Sequence, residues 1–379
     1  MSESVVAVAK TRPETVVTDY ARVMRLAEFE AFLPREHDTL LKLNLSWTKY
    51  FPACSSEPWQ VEGVVRTLIG AGWPRERLIP VENKTVVTDP VKGCENNLWS
   101  GVLDHYGLHF TPLTGVEWKV RKFESPLLRL PDIFPEGIEV PAMFEGKNVV
   151  HLPTVKTHGH STTTGAIKNA FGGLLKEVRH YAHKHIHEVL VDLVYMQKEL
   201  HPGVFAVMDG TVCGDGAGPR TMVPRIKNYI LAGGDSVAID AVAAKLMGFD
   251  PLSIPYLRMC HERGLGCADP AKIRIVGEEI SGVSFGFQTK RSFVIYGDQM
   301  LRRGPLRFLE KLALHSPLVA WAPFASNVYH DLLWYPTIGR RRIQEFERTD
   351  WGKLFDSYRT PTDSASKRAT GLAMAGAGA

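Results

Sequence analysis

The residues best suited to chemistry fall in one short stretch. Leu152-Pro153-Thr154-Val155-Lys156-Thr157-His158-Gly159-His160 runs directly into Ser161-Thr162-Thr163-Thr164-Gly165-Ala166-Ile167-Lys168-Asn169. Two lysines, two histidines and six hydroxyls sit there, just after an apolar run. Fixed positive charge with many donors suits a carboxylate or phosphate, more so where the N–H groups of a helix start add to it. Lys156 and Lys168 are candidates to bind or polarise a carboxylate, and Thr164 and Asn169 to line the substrate. His158 or His160 is the candidate proton-transfer group, because imidazole titrates near neutral pH. A solvated polar loop is the plain alternative.

Two further groups suggest a metal. His180, His183 and His187 share one flank of a helix at about 100° per residue, and a pair at i, i+4 such as His183 and His187 can bind one ion. No H-E-x-x-H is present, and a solvated His-rich face reads equally well. Met208-Asp209-Gly210-Thr211-Val212-Cys213-Gly214-Asp215-Gly216-Ala217-Gly218-Pro219 places two aspartates among four glycines. Asp209 and Asp215 are candidate hard-cation ligands, or carboxylates that orient a histidine. Gly216 and Gly218 permit close backbone approach to a substrate. A tight connecting loop is the alternative. Asp235, after Gly233-Gly234, is expected to cap the helix Ser236–Met247. G-x-x-x-x-G-K-[ST], G-x-G-x-x-G after a strand and G-x-S-x-G are all absent, so ATPase, dinucleotide-binding and esterase readings have no support.

These residues need elements to hold them. Ser4–Val8 reads as a strand and Asp19–Phe32 as a helix. Thr39–Leu45 reads as a buried strand, Pro58–Ala71 as a helix and Arg77–Val81 as a strand. The order recurs: a strand at Gly107–Leu113, a strand at Asn148–Pro153, a long helix over 174–200, then strands at Val204–Met208, Tyr229–Ala232 and Lys272–Val276. The fold class is therefore α/β, a parallel or mixed sheet with flanking helices. Ligands in such folds gather beyond the carboxyl ends of strands, where Lys156, Asp209 and Gly234 are expected. From about Ser284 aromatic and basic residues intermingle through Trp321, Trp334 and Arg340-Arg341-Arg342 to Trp351. The expected organisation is an α/β core over 1–283, a C-terminal helical extension over 284–358 and a disordered tail over 359–379. The extension is expected to pack on the core or on a second subunit, as in a homodimer, with a peripheral membrane helix as a third option.

The totals narrow the function. With 379 residues and a formal net charge of +4, the chain is too weakly basic to argue for nucleic acid. Its five cysteines include no C-x-x-C pair, so no iron–sulfur cluster or disulfide framework is expected. No signal peptide or transmembrane segment is legible, and a cytoplasmic location is expected.

Four blocks carry a resemblance to a known family. Leu152–Gly172, Asp209-Gly210 with Gly216–Pro219, Gly233–Asp240 and Leu41-Lys42-Leu43-Asn44 resemble the core motifs of the domain-of-unknown-function family 362 over roughly 38–280. Leu43 stands where a Pro is common. The resemblance implies an α/β fold distantly related to the nickel-pincer lactate racemases, and it adds Lys42 and Asn44 to the candidate substrate-binding set. Many members carry a ferredoxin-like segment with cysteine clusters, and this chain has none. The expectation is an enzyme acting on a small anionic substrate by proton abstraction beside a carbonyl: an isomerase, racemase or lyase. The cofactor is open, with a divalent metal as one candidate. The alternatives are a non-catalytic metal- or cofactor-binding module and a redox protein served by an iron–sulfur partner.

Overall fold

Apolar residues in the short strands do not alternate with polar ones, because both faces of the sheet are covered. The computed structural model describes residues 3–85, 87–176, 179–290, 296–297, 300 and 321–359. Its strands are β1 (Ser4–Lys10), β2 (Thr39–Lys42), β3 (Leu78–Glu82), β4 (Thr111–Pro112), β5 (Trp118–Arg121), β6 (Ile138–Pro141), β7 (Asn148–His151), β8 (Thr154–His158), β9 (Thr162–Thr163), β10 (Val204–Ala217), β11 (Thr221–Gly233) and β12 (Ile273–Gly277). The large sheet runs β12-β1-β11-β10-β7-β2-β3-β4, with β8 on β10 and β9 on β8. Neighbours from β10 through β7, β2 and β3 to β4 are parallel, whereas β11 is antiparallel to both β10 and β1. The sheet is thus mixed.

Helices cover both faces: α1 (Val16–Leu26), α2 (Phe29–Phe32), α3 (Pro58–Gly70), α4 (Pro90–Asn96), α5 (Trp99–Tyr106), α6 (Leu130–Ile133), α7 (Ala166–Leu174), α8 (Ile186–Leu200), α9 (Ser236–Met247) and α10 (Pro255–Glu262). Side chains alternate along each strand, so consecutive residues feed opposite cores. Leu40, Val149, Ala206 and Met208 pack with α7, α8, α9 and α10. Leu41, Val150, Phe205 and Val207 pack with α1, α3 and α5.

Several expected elements differ. The helix over Asp19–Phe32 breaks into α1 and α2, because Glu28 adopts a left-handed backbone (φ 52°). The strand over Gly107–Leu113 shrinks to Thr111–Pro112. The helix over 174–200 is three pieces: α7 ends at Leu174, Arg179–His185 is a 3-10 turn, and α8 starts at Ile186. His183 thus lies in the 3-10 turn and His187 in α8, so the pair does not sit on one continuous α-helix. The loop expected at Asp209–Gly218 is strand: β10 continues to Ala217, paired with β11 across an irregularity between Gly210 and Val212. Its glycines allow the close packing, since a Cβ on Gly214 would strike Met222 and the stem of Lys156.

The core also runs past residue 283. Phe285 and Phe287 donate backbone N–H groups to Leu246 and Met247, and Lys290 donates to Gly216. Helices Trp321–Asn327, Arg340–Glu347 and Asp350–Ser357, with a π-helical stretch Val328–Gly339 between the first two, pack on this chain's own core. Phe355 stacks on Tyr50 at 3.8 Å, and Trp351 packs 5.1 Å from Trp59. The expected tail beyond Arg359 lies outside the described residues. No helix among the described residues is long and apolar enough to cross a membrane.

Candidate functional site

The carboxyl ends of parallel strands β2, β3 and β7 bring Lys42, Glu82 and His151 side by side. Lys42, expected to bind substrate, is instead spent on structure. Its ammonium lies 2.7 Å from Glu82 and donates to the carbonyl of Leu43, with both partners buried. Glu82 in turn accepts from the backbone of Asn83 and Leu45. Both members of this buried ion pair are tied to the backbone around them, a role in the fold.

Above this pair, Lys156 forms the centre of a polar network. β8 carries it inward against β10, where Gly214 faces it in register. Its Nζ donates to Oδ1 of Asn44 at 2.5 Å and to the hydroxyl of Thr154. Asn44 donates to Asn169 at 3.3 Å, and Asn169 donates to the carbonyl of Lys42 and to Nδ1 of His151. His151 closes the chain on Gln197 at 2.6 Å. Thr164 straps the strand, donating to the carbonyls of Thr154 and Lys156. Lys156 has only neutral oxygens as hydrogen-bond acceptors, and it is buried. Burial therefore brings its pKa down to about 8, held from falling further by Cys54, Glu57, Glu82 and Asp209.

The two histidine groups meet. His160 lies 5.9 Å from His158 and 5.6 Å from His183, ring centre to ring centre. Lys168, beside them, sits over the ring of Phe171 at 5.2 Å. His158 is buried, and its Nδ1 accepts from the N–H groups of His160 and Ser161. Those donors place its own proton on Nε2, so His158 can donate from Nε2. Burial, then Lys168 and the neighbouring histidines, hold its pKa well below the usual imidazole range.

The expected metal ligands do not converge. Asp209 is enclosed by Tyr20, Trp59 and both donors of Thr211. Asp215 lies 3.5 Å from Arg225 and accepts from the backbone of Gln288. His187 stacks on Tyr256, away from His183, which lies against His160 and Phe171. Among the described residues no three His, Cys, Asp or Glu side chains gather as a metal site. The glycines expected at the substrate serve the hairpin. Gly216 takes φ +100°, and a Cβ on Gly218 would meet the Thr157 carbonyl at 1.8 Å.

Sequence reasoning passed over several residues here. Asp240 accepts from the first N–H groups of α7 at Ala166 and Ile167, and burial raises its pKa to about 8. Its position one turn into a helix held no signal for that role. Cys54 and Glu57, in the bend before α3, are buried, and burial pushes both upward, Cys54 to about 12. Arg220 follows the hairpin turn and reaches Ser326 of the extension at 2.9 Å.

Comparison with known proteins adds kinship. No solved structure matches the chain. A thylakoid-associated protein of Synechocystis sp. is 29% identical over 121 residues, which are 31% of this chain and 37% of that protein. This chain thus matches little more than a third of that relative's length. A family model described as a domain of unknown function (DUF362) matches residues 39–245, the span that contains β2, the Lys156 network, the histidine group and most of α9. The chain therefore belongs to the domain-of-unknown-function family 362.

Proposed function

We propose that this chain is an enzyme that moves a proton on a small hydroxy- or keto-carboxylate, with Lys156 as the general base. One observation carries the reading: a buried lysine, held by the neutral oxygens of Asn44 and Thr154, whose pKa falls to about 8. At pH 7 roughly a tenth of such amines are unprotonated, enough to abstract a proton beside a carbonyl. Lys168 and the histidine group supply positive charge and donors for the substrate's hydroxyl or keto oxygen, and His158 offers its Nε2 proton. The proton role thus passes from the histidines to Lys156. The expected ligands His183, His187, Asp209 and Asp215 do not gather as a metal site among the described residues, and the proton transfer proposed uses the chain's own side chains. Kinship to the lactate racemase fold belongs to this proposal as well, supported only by the shared class of proton chemistry. We place the enzyme in the cytoplasm.

The test is exchange of α-protons in D2O, followed by NMR with lactate, pyruvate and malate. Exchange catalysed by the wild type and absent in a folded Lys156→Ala variant is expected. Equal exchange by both proteins would remove Lys156 from the mechanism.

A second reading concerns location. Phe324, Leu332 and Leu333 are exposed on the extension (69%, 68% and 58%), close in sequence to exposed Arg340 and Arg341. Apolar side chains flanked by arginines suit the surface of an anionic bilayer. The name of the Synechocystis relative supports this reading. Cosedimentation with phosphatidylglycerol vesicles, reduced by Leu332→Asp with Leu333→Asp, is expected. Wild-type protein left wholly in the supernatant would discard it.

A further inference from the structure

Arg220 sits in the turn between β10 and β11 and is half-buried. Nη2 donates to Ser326 at 2.9 Å, and the group lies 6.0 Å from the centre of the Trp47 ring. Nη1 is shielded from solvent and has no hydrogen-bond partner. Asp331, the carboxylate whose charge acts on Arg220, already accepts from Trp47 Nε1 at 2.8 Å and lies 3.5 Å from Lys49. A cationic N–H removed from water and left unpaired is costly, and structures keep such groups where a ligand satisfies them.

A short run of hydrogen bonds joins Arg220 to Lys156. Thr154, which accepts from Lys156, donates to the carbonyl of Ala53 at 3.2 Å. The next residue, Cys54, donates its thiol to the carbonyl of Pro219 at 3.1 Å, one residue before Arg220. Lys156 and Arg220 are thus linked through Thr154, Ala53 and Cys54, and both charges act on the Cys54 thiol. The remaining neighbours of Arg220 come from the extension. His330 bonds Ser326, and Trp334 packs on Trp47 at 6.0 Å.

We propose that Arg220 is the seat for the substrate's carboxylate, placed by Ser326 and Trp47 so that the carbon that loses the proton faces Lys156. This rests on the proton-transfer reading above. Guanidinium suits a planar carboxylate because two of its N–H groups match the two oxygens. The extension, which lies outside the span of the family match, thereby completes the substrate site.

The full-length chain would be titrated with pyruvate, malonate and inorganic phosphate by calorimetry, with α-proton exchange measured on the same samples. Pyruvate and malonate should bind the wild type. Arg220→Gln should weaken them roughly 10- to 100-fold, the loss expected for a charge-assisted hydrogen bond. Arg220→Lys should fall between, and Ser326→Ala should weaken binding while leaving the charge in place. Should Arg220→Gln fail to fold, the other two variants decide. Carboxylate binding unchanged in these variants, no binding to the wild type, or tighter binding of phosphate than of either carboxylate would each overturn the seat. Binding that depends on Arg220 without any α-proton exchange would keep the seat and remove the Lys156 reading. Exchange with an unchanged half-saturating concentration in Arg220→Gln would do the reverse.

Discussion

Lys156 and Asp209 are both buried and polar, yet their partners give them opposite meanings. Asp209 is enclosed by four donors, so its charge is fully used by the fold. Asp209→Asn would set an amide N–H₂ against those donors and should cost about 2–4 kcal/mol, read as a fall in the urea midpoint. Lys156 meets only neutral acceptors, and its folded pKa of about 8 lies below the ordinary lysine value. The unfolded chain then holds a proton that the folded one has lost, between about pH 8 and pH 10.4. Stability should therefore rise with pH in that window. Relative to Lys156→Met, the wild type should gain about 3 kcal/mol across it, by denaturant titration at each pH. A flat difference would show that the amine is not desolvated in solution.

At the scale of elements, the site depends on how α7 begins. Gly165 precedes it at φ +139°, a region that side chains avoid, and a Cβ there would lie 2.2 Å from the carboxylate of Asp240. That carboxylate holds the first N–H groups of the helix bearing Lys168 and Asn169. Gly165→Ala should destabilise the protein by about 2–4 kcal/mol and loosen Asn169 from Asn44. Thermal unfolding measures the first effect. The chemical shifts of the Asn169 side-chain amide measure the second. An unchanged Tm would mean that α7 can re-seat without its glycine.

In the whole molecule, the extension is part of the core and not an appendage. Phe346, Trp351, Phe355 and Tyr358 are buried with α1, α3 and α5, and Tyr358 donates to Glu62. Removing a ring from such packing costs about 3–5 kcal/mol, so Phe355→Ala should unfold at markedly lower denaturant. A variant as stable as the wild type would show the extension to be detachable. Because this aromatic face is used on the chain's own core, a homodimer through the extension would have to use the face bearing Phe324, Leu332 and Leu333.

Reading the residues in order revealed the layered α/β class and the strand at Asn148–Pro153, because the apolar runs, the glycine stops and the caps are local; Lys156, expected in the loop beyond that strand, lies instead on β8. It also placed Lys156, Thr164 and Asn169 together as candidates, the family resemblance added Asn44, and the fold joins the four in one network. It could not show which polar residues were already satisfied. Lys42, Asp209 and Asp215 carry the same types as true ligands, but their partners lie tens to hundreds of residues away. Nor could it show that Arg220 is half-buried, or that the extension from Ser326 to Trp334 reaches it. Charge and hydroxyl content are properties of the chain itself. Burial and pairing are set only when distant strands close on one another, and pairing is what separates two equally buried lysines, Lys42 on a carboxylate and Lys156 on neutral oxygens.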